Sequence, residues 1–265
     1  MIARAALAAV LLGLAAPALA DEELRPLCAD RPGIGTPPCI VDRAHVVGEV
    51  GLVAWTATRD GDERTDTIVL GDLLARYGLD DRTELLLGWT AFGRVRSSDA
   101  SGVETLSGIG DVTIGLKRSL RQPDGSGFSV AVQPLLSLPT GSVAIGARDW
   151  GARLMLPIAF TLNDVVQFSL TPEIDAVVDT EHDGHHPAYG GAAGLGLTLT
   201  DNISTALEVG YLRDEDPAGT ESRWVGSASL AWQVGDNWQL DAGTVLPIDT
   251  GTRGVKVYFG VARRF

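Results

Sequence analysis

From residue 44 to the C-terminus, apolar and polar side chains alternate with a period of two, in twelve segments separated by polar or glycine-containing breaks. The segments lie near 44–56, 64–77, 82–96, 104–120, 127–138, 149–160, 165–178, 189–200, 203–212, 222–234, 237–247 and 255–265. Period two puts successive side chains on opposite faces of a strand. In 128–138 one face reads Phe128, Val130, Val132, Pro134, Leu136 and Leu138, and the other Ser129, Ala131, Gln133, Leu135 and Ser137. In 166–176 Val166, Phe168, Leu170, Pro172, Ile174 and Ala176 oppose Gln167, Ser169, Thr171, Glu173 and Asp175. The pattern predicts an all-β protein of twelve strands. A soluble sandwich would alternate in the same way, so other features have to decide.

The breaks and the aromatic residues supply them. Short breaks at 78–81, 121–126, 161–164, 201–202 and 235–236 alternate with longer or more charged ones at 57–63, 97–103, 139–148, 179–188, 213–221 and 248–254. Tight turns at one rim and longer loops at the other are what an up-and-down antiparallel barrel predicts. An even strand count leaves both barrel ends on the short-turn rim, which is periplasmic in outer-membrane barrels. Tyr77, Phe128, Phe160, Trp232, Trp238 and Phe265 sit beside short turns, and Trp55, Trp150, Tyr189, Tyr211 and Trp224 beside long loops, so eleven of the sixteen aromatic residues fall at strand ends. A globular core would hold its aromatics mid-strand, whereas a membrane barrel holds them at its two interfaces. Trp55 fits only if a bulge resets the register, because strict alternation from an inward Glu49 turns it inward.

The first twenty residues change the compartment. Arg4 precedes an apolar run ended by Pro17, and Ala18-Leu19-Ala20 has the small-x-small form of a cleavage site. Residues 1–20 are read as a signal peptide, 21–43 as a periplasmic N-terminal segment able to tuck into the barrel, and 44–265 as an outer-membrane barrel of a Gram-negative cell. Beyond residue 20 no apolar run approaches the ~20 residues of a transmembrane helix. A net charge of -13 argues against nucleic acid as a partner. The expected partners are outer-membrane lipid, the outer-membrane assembly machinery through the terminal aromatic Phe265, and a small solute. Arg263 departs from the apolar residue expected two places before the end and can snorkel to the interface.

Charged residues then point to the lumen, because Arg or Lys facing lipid at the midplane costs about 2–4 kcal/mol. Alternation places Glu49, Asp72, Glu84, Asp111, Glu173, Asp175, Glu208 and Asp241 inward, with Arg76, Arg94, Arg96, Lys117, Arg153, Arg223, Lys256 and Arg264. Eight acids facing eight bases fit either ion pairs that fill the barrel or a polar pore with charged walls. Cys28 and Cys39 enclose ten residues, and in an oxidising periplasm a disulfide is the default reading. Such a clip contributes at most about 3 kcal/mol. Free thiols or a metal pair are the alternatives. Residues 181–186, Glu-His-Asp-Gly-His-His, hold three of the four histidines and could ligate zinc or copper, but read better as a solvated loop. No cofactor or metal site is expected. No Gly-x-Ser-x-Gly elbow occurs, and outside that loop His45 is the only imidazole, so the chain is read as a non-enzyme.

Three stretches carry a family likeness: Arg31-Pro32-Gly33-Ile34-Gly35-Thr36-Pro37 with Cys28 and Cys39, Gly108-Ile109-Gly110-Asp111 followed by Gly115-Leu116-Lys117, and Leu138-Pro139-Thr140-Gly141. Through them the chain resembles the outer-membrane barrel family known as meta-pathway of phenol degradation, whose members are often labelled transporters. The resemblance covers most of the chain after the signal peptide. It implies a channel or transporter for small solutes, hydrophobic or aromatic compounds included. The family name records a pathway association and implies no reaction. A structural barrel without transport and a lipid-modifying enzyme are the alternatives.

Overall fold

The computed structural model describes residues 24–249 and 253–265, so the signal-peptide reading of 1–20 lies outside the described residues. Among the described residues there is no helix. The chain forms β1(Val46–Asp60), β2(Glu63–Asp80), β3(Thr83–Asp99), β4(Gly102–Gly108), β5(Val112–Arg121), β6(Phe128–Leu138), β7(Gly151–Met155), β8(Ile158–Thr161), β9(Val166–Val178), β10(His185–Thr200), β11(Ile203–Asp214), β12(Glu221–Val234), β13(Trp238–Pro247) and β14(Arg253–Arg264). These make twelve staves, since β4 and β5 are two halves of one, and β7 and β8 of another. Every neighbouring pair is antiparallel, and β14 returns to β1 to close the barrel. The seam is finished by paired backbone bonds between Val46 and Phe265 at 3.3 and 2.8 Å. Closure leaves no open edge to seed pairing with another chain.

The two interruptions have local causes. Proline cannot donate to a ladder. Pro157 separates β7 from β8, and Pro134 and Pro172 stand on the staves to either side. Gly191 faces Pro172 at φ +150, where an added Cβ would meet the Thr171 carbonyl at 2.4 Å, so only glycine fits. Ile109, Gly110 and Asp111 separate β4 from β5.

One irregularity crosses three staves. The β1–β14 register shifts between Gly51 and Val53, leaving Leu52 as a bulge. At the same level Gly71 takes φ +65, and Gly71 and Ala91 drop out of the ladders of β1–β2 and β2–β3. Directly opposed residues share a face. Thr56 opposes the inward-phased Lys256, so Trp55 points outward after all. Ile68 opposes Trp55, and Arg94 opposes Ile68. Asp66 and Arg96 lie two residues further along on the same face. The expected inward placement of Arg94 and Arg96 is therefore corrected. The slip turns both onto the outer wall near the long-loop rim, where an arginine costs only about 0–1 kcal/mol.

The outer wall is apolar in the middle and aromatic at both ends. Tyr77, Phe128, Phe160, Trp232 and Trp238 are exposed at the short-turn rim, and Trp150, Tyr189 and Trp224 at the other. Arg263 lies over the rings of Trp238 and Phe265 at 4.5 and 4.4 Å, which places a cation among interfacial aromatics.

Candidate functional site

The inside of the barrel is where the charged side chains converge, and the N-terminal segment is there with them. Cys28 and Cys39 are bonded to each other, with Cα atoms 6.3 Å apart, so residues 29–38 form a closed loop. That loop reaches across the lumen. Its backbone N–H groups need acceptors wherever they are buried, and the inward carboxylates provide them. Glu49 accepts from Asp30 N and Arg31 N at 2.9 and 3.0 Å. Glu208 accepts from Ile34 N and Gly35 N, both at 2.9 Å. Glu84 accepts from Val41 N at 2.7 Å. Tyr258 Oη accepts from Gly33 N at 3.1 Å, and Thr171 Oγ1 from Thr36 N at 3.1 Å.

Side-chain pairs complete the docking. Arg31 donates to Asp241 at 3.0 and 3.2 Å. Asp30 accepts from Lys117 at 2.6 Å and pairs with Arg76 at 3.0 Å. Arg76 is the hub. Its guanidinium donates twice to Glu84, at 2.8 and 3.0 Å, to Glu49 at 3.2 Å, and to the Cys28 and Cys39 carbonyls. Arg76, Glu84 and Lys117 have 0 % exposure. Burying so many charges is tolerable only because each is paired and hydrogen-bonded. Leu27, Val41 and Val47 add a small apolar cluster, and Arg264 ties Asp42 and the Arg25 carbonyl at the rim. Glycines make the close approaches possible: a Cβ on Gly260 would lie 2.3 Å from the Arg31 guanidinium, and one on Gly33 2.8 Å from Glu208.

A second inward structure comes from residues 139–149. Asp111 accepts from Gly141 N at 2.7 Å and Ala147 N at 2.6 Å. Ile145 packs where the Cβ of Gly93 would stand, and Ser142 where that of Gly108 would. Gly93 and Gly108 are opposed and share the lumen face with Val69, Ala54 and Tyr258. The three stretches that carry the family likeness are thus the parts that furnish the interior.

The remaining inward residues line the half of the lumen toward the long loops. Arg153 pairs with Asp175 at 2.8 Å and Glu173 at 3.5 Å. Asp72 accepts from Thr90 Oγ1 at 3.1 Å. Arg223 lies 3.8 Å from Asp214. Thr56, Thr58, Arg223, Val245 and Lys256 border a cavity of about 420 Å³ that opens at the mouth. Of the residues read as pore-lining, Glu49, Glu84, Lys117, Glu208 and Asp241 hold the segment, and Asp111 holds the 139–149 loop. Asp72, Arg153, Glu173, Arg223 and Lys256 face open space, and Asp175 is buried beneath Arg153.

The histidines are not the loose group that the sequence suggests. His186 is buried on β10, three residues beyond Tyr189 and so above the aromatic belt. Its Nδ1 meets Asp179 at 2.8 Å, its Nε2 meets Asp214 at 2.5 Å, and Asp216 stands 3.7 Å away. Thr180 N and Oγ1 donate to Asp216, so the imidazole joins the 179–184 turn to the 213–220 loop. His182 reaches Arg148, and His185 stacks on Trp150 at 4.2 Å. Among the described residues no group of three His, Cys, Asp or Glu side chains has metal-binding geometry.

Burial by itself would lower the pKa of His186, but hydrogen bonds to Asp179 and Asp214 and the charge of Asp216 hold it above the ordinary histidine value. A cation whose pKa is raised on folding stabilises the fold fully below the unfolded value of about 6.5, and that contribution is lost as pH rises through the folded value. The two loops are expected to be tied together at about pH 6 and to loosen as pH rises past the raised pKa of His186. His186→Ala should loosen them on both sides of that pKa. Hydrogen exchange over 179–184 and 213–220 checks this, and equal protection of variant and wild type at pH 6 would contradict it.

The comparisons agree with this geometry. Residues 29–265 match the model of the family described as "Putative MetA-pathway of phenol degradation". The chain belongs to that family. Among solved structures it is similar to the COG4313 outer membrane channel from Pseudomonas putida F1, with a TM-score of 0.64 at 15% identity, covering 86% of this chain and 98% of that one. It also resembles the NanC porin, with a TM-score of 0.52 at 7% identity over 82% and 98% of the two chains, and the CymD monoaromatic hydrocarbon channel, with 0.50 at 9% over 84% and 88%. No curated protein matches the sequence. At these identities the likenesses show the fold, a closed antiparallel outer-membrane-type barrel.

Proposed function

We propose that this protein is an outer-membrane channel for small solutes, resting with its periplasmic half filled by residues 24–43 and opening when that segment leaves. The observation that carries the reading is how the segment is held. Its loop of residues 29–38 adds no strand to the barrel and has no covalent bond to the wall. Carboxylates, the Thr171 and Tyr258 hydroxyls, the Gln239 amide and the cations Lys117 and Arg76 grip it, all of them groups that water can replace. A structural barrel would be better stabilised by an apolar interior, since buried ion pairs add little net stability over packed hydrophobic residues. The fold and family support placement in the outer membrane. The family description and the solved monoaromatic hydrocarbon channel make small aromatic compounds the first solutes to test.

Once conducting, the pore is expected to prefer cations weakly. With Arg94 and Arg96 outside, the wall charges assigned to the lumen are eight acids and six bases. Asp60 and Glu63 face each other at the mouth. Acidic rings raise the local cation concentration, and charges in water are screened over about 10 Å at 0.1 M salt. Reversal potentials should show modest cation selectivity at 0.1 M, fading at 1 M and weakening when Asp60, Asp62 and Glu63 are neutralised together. Anion preference at low salt would place control with Lys256 and Arg223.

A further inference from the structure

The slip at Leu52, Gly71 and Ala91 has a second effect, on the outside of the barrel. Reading across β14, β1, β2 and β3 on the outer face near the long-loop rim, the uppermost row is Arg253, Arg59, Arg64 and Ser98. The next row is Val255, Ala57, Asp66 and Arg96, and the next Val257, Trp55, Ile68 and Arg94. Below them Phe259, Val53, Leu70 and Phe92 begin the apolar wall. Five arginines, all exposed, therefore stand in a block on one side of a chain whose net charge is -13.

Solvation alone does not account for this block. Like charges directly opposed across strands destabilise a sheet, and Arg253, Arg59 and Arg64 are opposed in one row over three strands. A single carboxylate, Asp66, lies within these rows. It is taken by Arg64, with bonds at 2.8 and 2.9 Å. Among the described residues no acid pairs with Arg59, Arg94 or Arg253. Rows two residues apart are about 7 Å apart along the strand, so the cations rise from the level of Trp55 to about 14 Å above it. Ile68, Leu70, Phe92 and Phe259 are exposed directly beneath. Cations stacked above an apolar wall, with an interfacial Trp between, match a ligand that carries phosphates above acyl chains. Arginine holds phosphate through paired, charge-assisted hydrogen bonds.

We propose that this face of β14–β1–β2–β3 is a binding site for a phosphorylated glycolipid of the outer leaflet. Arg59, Arg94 and Arg253 engage its phosphates, and Leu70, Phe92 and Phe259 its acyl chains. The site rests on the outer-membrane placement given above but not on conduction.

Diphosphoryl lipid A titrated into phosphatidylcholine nanodiscs holding the full chain tests the proposal, with bound lipid counted by native mass spectrometry. The triple variant Arg59→Gln, Arg94→Gln, Arg253→Gln should bind about a hundredfold more weakly, given the contribution of each basic residue near an anionic lipid surface. A control with Arg82, Arg118 and Arg121 changed to Gln at the opposite rim should bind as wild type does. Excess inorganic phosphate should compete poorly, because it lacks acyl chains. All six positions are exposed, and heat-modifiable migration on gels confirms that each variant is folded. A folded, inserted triple variant that binds lipid A as well as wild type overturns the proposal, as does full competition by inorganic phosphate. A chain that stays folded and soluble without detergent overturns instead the membrane placement beneath it.

Discussion

Arg76→Ala is expected to be the most damaging single substitution in the barrel. It removes five donors from a site with 0 % exposure and leaves Glu84, Glu49 and Asp30 facing one another. Breaking a buried pair by deleting one partner costs about 3–5 kcal/mol, because an uncompensated charge stays behind. Here Lys117, 2.6 Å from Asp30 and 3.5 Å from Glu84, offsets part of the loss. The Cys28 and Cys39 carbonyls lose their donor as well, so the disulfide-closed loop loosens at its base. The temperature at which the folded band disappears on heat-modifiability gels should fall by roughly ten degrees. Protease should then reach residues 24–43, which the wild type protects. Arg76→Lys should recover only part of the loss, since an ammonium cannot reproduce a forked set of contacts to two carboxylates and two carbonyls. An unchanged transition in Arg76→Ala would mean that the cluster adds nothing to the fold.

Much of the barrel was legible in the sequence, and the misplaced parts share a cause. The twelve staves, the two rims and the aromatic belts follow from period two and from the spacing of breaks, both of which are properties of a strand and its neighbours. The slip through Leu52, Gly71 and Ala91 is not such a property. Leu52 has no distinguishing chemistry, and Gly71 is one of 32 glycines. Only the partner strands reveal which face follows the bulge, so strict alternation puts Arg94 and Arg96 on the wrong side and leaves Trp55 open. Trp55 carried the available signal, because an interfacial aromatic turned inward is a reason to insert a bulge.

The inward acids were legible as inward, but not their partners. Glu49, Glu84 and Glu208 face backbone N–H groups, which every residue except proline carries and no sequence pattern marks. The hint lay in Arg31-Pro32-Gly33-Ile34-Gly35-Thr36-Pro37, whose two glycines let a backbone approach carboxylates more closely than a side chain would allow. His186 reads as loop because it ends the polar stretch Glu181-His182-Asp183-Gly184-His185-His186, in which nothing marks a scaffold. Its real neighbours, Asp179 and Asp214, are brought to it by the β9–β10 and β10–β11 pairings.

In the proposed function, residues 24–43 close a channel that the barrel otherwise provides. Removing 24–42 takes away Arg31, Asp30 and the backbone donors to Glu49, Glu84 and Glu208, but no residue of any strand. The barrel ladders, including the β1–β14 seam, remain. The freed carboxylates become hydrated wall charges, so the opened lumen is polar along its length. The most direct test is single-channel conductance of the full chain and of the chain lacking 24–42, in planar bilayers, with heat-modifiable migration as proof that both are folded. A channel plugged in this way should be closed or conduct in rare, small events as the wild type, and should hold steady, larger open levels once shortened, because a twelve-stranded barrel is wider than the eight-stranded kind that side chains alone fill. A folded, shortened chain that conducts no more than wild type would contradict it.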